Sequence, residues 1–352
     1  MVGYRRSESS EDRHLRENKR REHKGDYTGA IKHYVRKQAW VPAAQNRLQK
    51  VQTLGRKYLR YFTLCAEEAI DVRIFKAENL IQFDGRGYPD VVFCECDAST
   101  YEQIAANLGH TEGIRAYFDD LLLDQHNRSS EIFYSKLSDL PFDVYNLDFT
   151  SVCFPIGEPP FSKTLEAIIT LINVLGRLPS RQGFDIFLTF RAQKSEENKD
   201  AIDQLKGNVH DNKGKYPWFG DAFVERYRDI GQLLARKYHE FLLVTLPKLF
   251  GSFGMDAGFQ VSCPYRLYYQ RPDPPRQPEY YMVSFVLSLE WVEERRKSLR
   301  PLRSKPEILL GAYNQLLQRL LEPNVINVNK ITFSHDQYKQ EVQALLAQAE
   351  GF

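Results

Sequence analysis

The sequence has no apolar run that approaches the ~18 uncharged residues of a membrane-spanning helix, since its longest candidate is Ala167–Leu175. No secretory signal is expected either, because Arg5 and Arg6 open a polar segment. The five cysteines form no zinc pattern: Cys94 and Cys96 are one residue too close for a CxxC knuckle, and no second pair completes a four-ligand set. We therefore expect reduced thiols, no membrane span and no metal site, as in a cytoplasmic protein.

The composition is that of a globular protein, with 42% hydrophobic and 27% charged residues in a chain of 352. This excludes a wholly disordered or collagen-like chain. The net charge of +2 conceals a strong asymmetry, because residues 1–60 contain 16 Lys+Arg and 6 Asp+Glu, whereas residues 61–352 contain 32 and 40. A basic arm ahead of an acidic body suggests either an anionic partner or an intramolecular clamp.

The central part of the chain alternates short apolar runs with helical periods. Apolar strands on both faces, separated by helices of about 12 residues, predict a parallel sheet covered by helices on both sides, with ligands at the carboxyl ends of the strands. Two longer strand-like runs around a proline-rich loop predict an antiparallel hairpin. The predicted strands are 60–64, 90–96, 114–118, 142–149, 184–190, 260–269 and 281–291, and residues 325–333 are a further candidate.

This order of elements, together with acidic residues at strand ends, resembles class I S-adenosylmethionine methyltransferases over roughly residues 58–293. The resemblance implies a Rossmann-like, mostly parallel seven-stranded sheet that ends in a C-terminal antiparallel hairpin. The rest of the chain is then a basic N-terminal arm with helices, residues 1–57, and a small helical C-terminal extension, residues 294–352.

The resemblance also implies a cofactor site for S-adenosylmethionine. The ribose hydroxyls would be bound by Glu95, with Asp97 as the second choice, because a carboxylate accepts from two adjacent hydroxyls. Asp119 would contact the adenine amino group, and Glu67 the methionine amino group. Strand-end carboxylates have an ordinary alternative role, which is to cap the helix that follows.

The implied methyl-transfer site lies at the end of strand four. There Asp148 would orient the acceptor nitrogen or accept its proton, Asn146 would line the site, and Phe149 would stack on a flipped base. The family's first loop is rich in glycine, whereas here Leu64–Ala69 contains none. Either the cofactor binds differently, or the domain has lost it.

The basic arm predicts a nucleic-acid partner, because many phosphate-compatible cations are interleaved with aromatic residues. Its alternatives are a solvated tail and an arm that packs on the acidic body. Two functions are therefore consistent with the sequence: a nucleic-acid methyltransferase, or a non-catalytic nucleic-acid-binding or assembly subunit, for example of a bacterial antiviral defence complex. The predicted nucleic-acid contacts are Arg16, Lys19, Arg20, Arg21, Lys24, Arg36 and Lys37.

Overall fold

The computed structural model describes residues 29–82, 91–109, 112–124, 126–159, 162–178, 180, 182–271, 280–292 and 305–347, which form helices around one sheet. The helices are α1 Ala30–Val35, α2 Val41–Gln52, α3 Ile70–Ala77, α4 Ala98–Leu108, α5 Phe118–Leu123, α6 Arg128–Asp139, α7 Lys163–Arg177, α8 Lys199–Lys215, α9 Pro217–Tyr227, α10 Ile230–Arg236, α11 Tyr238–Asp256, α12 Lys305–Leu321 and α13 His335–Ala347. A π-helical turn, Arg36–Trp40, joins α1 to α2.

The sheet is mixed and mostly parallel, with eight strands in the order β3-β2-β1-β4-β5-β7-β6-β8. The strands are β1 Tyr61–Thr63, β2 Val91–Glu95, β3 Glu112–Arg115, β4 Val144–Val152, β5 Phe184–Ala192, β6 Phe259–Arg271, β7 Tyr280–Trp291 and β8 Ile326–Asn327. Of these, β7 runs antiparallel to its neighbours β5 and β6. The expected seven strands are thus corrected to eight, because β8 pairs with β6 at Leu267 and Tyr268.

The direction in which successive strands are added to the sheet reverses between β1 and β4. From β1 the chain adds β2 and β3 on one side, then returns to place β4 and β5 on the other. The loops after β1 and β4 therefore leave the sheet in opposite directions, which is the position where doubly wound sheets bind ligands. In the pairing of these strands Thr63 lies opposite Asn146.

The seven predicted strands and the hairpin agree with the structure to within a few residues, whereas the candidate 325–333 is reduced to the two residues of β8. The apolar spacing over 221–249 predicts one long helix, but the structure divides this segment into α9, α10 and α11. Arg228 ends α9 with a left-handed φ of 60°, and Lys237 separates α10 from α11. None of the helices in the described ranges has the length and apolar content to cross a bilayer.

The core lies on both faces of the sheet, and β5 contributes to both because all nine of its residues are buried. One face carries Phe62, Tyr145 and Phe184 beneath α5, α7 and α11. The other carries Tyr61 and Phe187, and it is covered by the N-terminal helices, α3 and α4.

The basic helices α1 and α2 are part of this second core layer. Trp40 is fully buried, and its ring stacks on Phe187 of β5 at a centroid distance of 5.9 Å. Val35 and Leu59 are also fully buried. The described part of the basic arm, from residue 29 onward, therefore contributes apolar residues to the core that covers this face of the sheet.

Candidate functional site

A buried polar cluster lies between β1, β4 and the start of α3. Asp71 of α3 is only 4% exposed, and its Oδ2 accepts hydrogen bonds from Tyr61 (2.7 Å), Thr63 (2.6 Å) and the Asn146 amide (2.9 Å). The cluster ties the start of α3 to the two strands. Asn146 is thus held by the protein at the position where the resemblance places a substrate-facing residue, and its own exposure is 1%.

Asp148, the predicted catalytic carboxylate, is joined to a lysine from the first helix. Lys32 Nζ lies 2.5 Å from Asp148 Oδ1, and both side chains are more than nine-tenths buried. The same ammonium lies 5.1 Å from the centroid of the Trp40 ring. Because α1 and Trp40 cover this face of β4, the end of the strand is closed by the N-terminal helices.

Phe149 points to the opposite face of β4, as alternation along a strand requires. It is 6% exposed and stacks on Phe190, with ring centroids 5.2 Å apart and an interplanar angle of 16°. Phe118 packs against the other side of this pair at 5.9 Å. In this structure Phe149 is a core residue.

The two acidic residues after β2 hold the turn that leads into α4. Asp97 is the N-cap of α4, since its Oδ1 accepts from the Thr100 amide at 2.9 Å. Glu95 Oε1 accepts from the Asp97 amide at 2.8 Å. Asp97 thus has the capping role that is the ordinary alternative for a strand-end acid, and Glu95 remains partly exposed.

The loop after β1 is closed by its own side chains. Cys65 is 5% exposed and Ala69 is fully buried, although Ala69 has the left-handed φ of 46° that glycine adopts most easily. Burial is the main reason that the pKa of the Cys65 thiol is raised, and the negative charges of Asp71 and Glu95 add to the effect. The Gln103 amide lies 3.1 Å from both carboxylate oxygens of Glu67 and donates to them in its favourable orientation.

Asp119 is the remaining predicted cofactor ligand, and it is 7% exposed in the first turn of α5. A carboxylate there stabilises the positive end of the helix dipole. Across the described residues, no group of three His, Cys, Asp or Glu side chains is arranged to hold a metal ion.

Most cations of residues 29–60 pair with carboxylates of the acidic body. This segment holds eight Lys+Arg and no Asp or Glu. Arg47 is 2% exposed and lies 2.6 Å from Asp185 and 2.8 Å from Glu290. Arg56 forms a bidentate pair with the fully buried Asp143, at 2.6 and 2.9 Å. The intramolecular clamp suggested by the charge asymmetry is therefore present in the structure. We use this name for residues 29–60 and the carboxylates with which their cations pair.

Two of the predicted nucleic-acid contacts lie within this clamp. Arg36 is 3% exposed, with its guanidinium 5.9 Å from the Trp40 ring centroid. Lys37 lies 3.4 Å from Glu78 and 3.6 Å from Glu341. The other predicted contacts lie outside the described residues: Arg16, Lys19, Arg20, Arg21 and Lys24.

Sequence reasoning missed a buried carboxyl at the carboxyl ends of β4 and β5. Glu197 is 4% exposed, and its Oε2 accepts from the Phe154 amide at 2.8 Å. Burial raises its pKa to about 8, although the Phe154 amide and the neighbouring Tyr238 hydroxyl oppose the shift. Since the local sequence, Lys194–Lys199, is uniformly polar, it carries no signal that one of its acids is buried.

The family comparison agrees with the inclusion of α1 and α2 in the domain. A sequence model of the PP_RS20740-like family matches residues 30–241, which is more than half of the chain. The chain belongs to this PP_RS20740-like family. The PP_RS20740-like match begins at the first residue of α1 and ends inside α11, so it includes the clamp and precedes the β6–β7 hairpin. No curated protein matches the chain significantly.

Proposed function

We propose that this protein is a non-catalytic assembly subunit built on a methyltransferase-like fold. Two features support the choice of fold. The order β3-β2-β1-β4-β5 is that of doubly wound nucleotide-binding sheets. The β6–β7 hairpin then completes the sheet in the way that the resemblance implies, and β8 is an addition at its edge.

The observation that carries the proposal is the buried ion pair between Lys32 and Asp148. In an active enzyme this carboxylate would face the acceptor group, and it would need access to substrate. Here it is neutralised by Lys32 of α1, beside the π-helical turn that contributes Trp40 to the core. Opening this site would separate the buried ion pair and expose Trp40 to water, which is costly.

The residues present do not fit S-adenosylmethionine in the pose that the resemblance implies. The buried side chains of Cys65 and Ala69 occupy the loop in which the family has glycines, so backbone cannot approach the cofactor closely. Glu67 is engaged by Gln103, and Glu95 accepts the Asp97 amide. These side chains satisfy one another, as expected of a domain that has lost its cofactor.

We expect no heat of binding in a titration with S-adenosylmethionine and no shift in melting temperature at millimolar cofactor. A ligand present at 100 times its Kd would stabilise the chain by about 2.7 kcal/mol, which a melting curve detects. An active methyltransferase measured in parallel is the positive control. Binding that disappears in Glu95→Gln would contradict the proposal, because it would establish a working cofactor site at the end of β2.

Nucleic-acid binding is a second candidate, confined to residues 1–28. The observation that favours it is the stretch 13–24, which holds six Lys+Arg and two Asp+Glu. If these cations contact phosphates, each adds about −0.7 to the log–log salt slope of single-strand binding, to a total of about −4.

We expect deletion of residues 1–28 to abolish binding of a fluorescent single-stranded oligonucleotide, measured by anisotropy across a salt series. Lys37→Gln is the matched control, and it should leave binding unchanged because Lys37 faces Glu78 and Glu341. Equal affinity of the deleted and full chains would remove nucleic acid from the function. A loss caused by Lys37→Gln would instead move the interface onto the clamp.

A further inference from the structure

The last described helix, α13, is held on the body by few contacts. Of its thirteen residues only Val342 is buried, whereas seven residues of α12 are buried. It packs on α1 and α3. A helix with so little buried apolar surface opens at a low free-energy cost compared with the core.

The side chains that α13 directs at the body have the spacing of a groove-binding helix. Tyr338, Glu341, Val342 and Leu345 occupy positions i, i+3, i+4 and i+7, which place them on one face. Tyr338 contacts the Tyr34 ring at 5.6 Å, and its hydroxyl accepts from the Gln38 amide at 3.2 Å.

The surface beneath α13 is a basic and aromatic groove formed by α1, the π-helical turn and α3, which we call the α1–α3 groove. Glu341 lies 3.4 Å from His33 Nε2 and 3.6 Å from Lys37 Nζ. These distances are longer than those of close ion pairs. Lys37 also lies 3.4 Å from Glu78, so Glu341 shares one ammonium with a second carboxylate and is held loosely.

The fit between α13 and the groove is incomplete. A cavity of about 180 Å³ remains between them, lined by His33, Lys37, Ile74, Glu78, Ala344 and Leu345. His33 is 1% exposed, and apart from the long contact of Nε2 with Glu341 its ring nitrogens have no hydrogen-bond partner among the described residues. A weakly paired buried ring and an open pocket both leave the interface with less contact than a packed core has.

We propose that the α1–α3 groove is a docking site for an amphipathic helix of a partner protein, and that α13 occupies it in the free chain. The partner helix carries an aromatic, an acidic and two aliphatic residues in the i, i+3, i+4, i+7 pattern of α13. This rests on the proposed function as an assembly subunit and identifies the surface used.

The position of the family match supports this division of roles. His33, Lys37 and Ile74 lie within the matched residues 30–241, whereas α13 lies about one hundred residues beyond them. The groove therefore lies within the matched residues, and the helix that covers it lies outside them.

The test uses the full chain with α13 released by Val342→Asp, which places a carboxylate at the buried position of the helix. A labelled peptide of residues 333–347 should bind this variant at least about tenfold more tightly than the wild type, in which α13 competes. Gln343→Asp makes the same charge change at an exposed position and should behave as the wild type. A peptide with Glu341→Lys should bind the Val342→Asp chain at least about tenfold more weakly.

Equal binding of the peptide to both chains, or no effect of Glu341→Lys, would overturn the docking site.

Should Val342→Asp fail to fold, hydrogen exchange on the wild type decides. Amides of α13 should exchange at least about 100-fold faster than those of α12, and equal protection would overturn the proposal. Cofactor binding would contradict the assembly function without affecting these measurements, so the two failures are distinguishable.

Discussion

Arg47→Met is expected to lower the free energy of unfolding by about 3–5 kcal/mol, the range for breaking a buried ion pair at one partner. Arg47 is 2% exposed, and its guanidinium contacts Asp185, Glu290 and Ser288. Methionine fills a similar volume but leaves Asp185, which is 2% exposed, as a buried charge without a cation. Urea denaturation followed by circular dichroism measures the loss.

Lys50→Met is the matched control on the same helix. Lys50 pairs with Glu290 at 2.6 Å, but their side chains are 52% and 37% exposed. Water screens this pair, so the expected cost is below about 1 kcal/mol. Adding Asp185→Asn to Arg47→Met should recover part of the loss by removing the buried charge. Equal effects of Arg47→Met and Lys50→Met would show that the clamp does not stabilise the fold.

The second large effect concerns pH and Glu197. Its pKa is about 8 in the folded chain, whereas an exposed glutamate titrates near its ordinary value of 4.5. Between these values the folded state binds a proton that the unfolded state has released, so the free energy of unfolding falls as pH rises. We expect this residue to account for a decrease of about 3–5 kcal/mol between pH 4 and pH 8.

Glu197→Gln should remove this dependence, because glutamine keeps the acceptor for the Phe154 amide and has no proton to lose. The variant should be close to the wild type in stability near pH 4 and more stable than it near pH 8. Asp203→Asn removes an exposed carboxylate on α8, and it should follow the wild-type profile. Parallel profiles for Glu197→Gln and the wild type would show that Glu197 does not hold this proton.

The sequence predicted the strands well because their residues are apolar on both faces and are bounded by clear turn signals. DVVFCEC became β2 and FDIFLTF became β5, each within about two residues. The β6–β7 hairpin was also predicted, since both of its strands are long and flank a proline-rich loop. Asp97 acts as a helix cap, which was the alternative considered for strand-end acids.

The pairing of charges could not be predicted in the same way, because it depends on which distant residues the sheet brings together. Lys32 and Asp148 are 116 residues apart. The charge asymmetry can be read from the sequence, and it is consistent with an anionic partner or an intramolecular clamp. Composition alone does not distinguish cations that bind a partner's phosphates from cations that pair with the chain's own carboxylates. The burial of Glu197 likewise follows from packing against α11, and its neighbours in sequence are polar.

The clamp also constrains the order in which the chain is assembled. The carboxylates that neutralise Arg47 are encoded 138 and 243 residues after it. At translation rates of 5–20 residues per second, roughly 10–50 s pass between the synthesis of Arg47 and that of Glu290. Until β4, β5 and Asp185 have been made, α1 and α2 lack the strands that they cover and Arg47 lacks its buried counter-charge, so these early helices dock only after more than a hundred further residues have been synthesised.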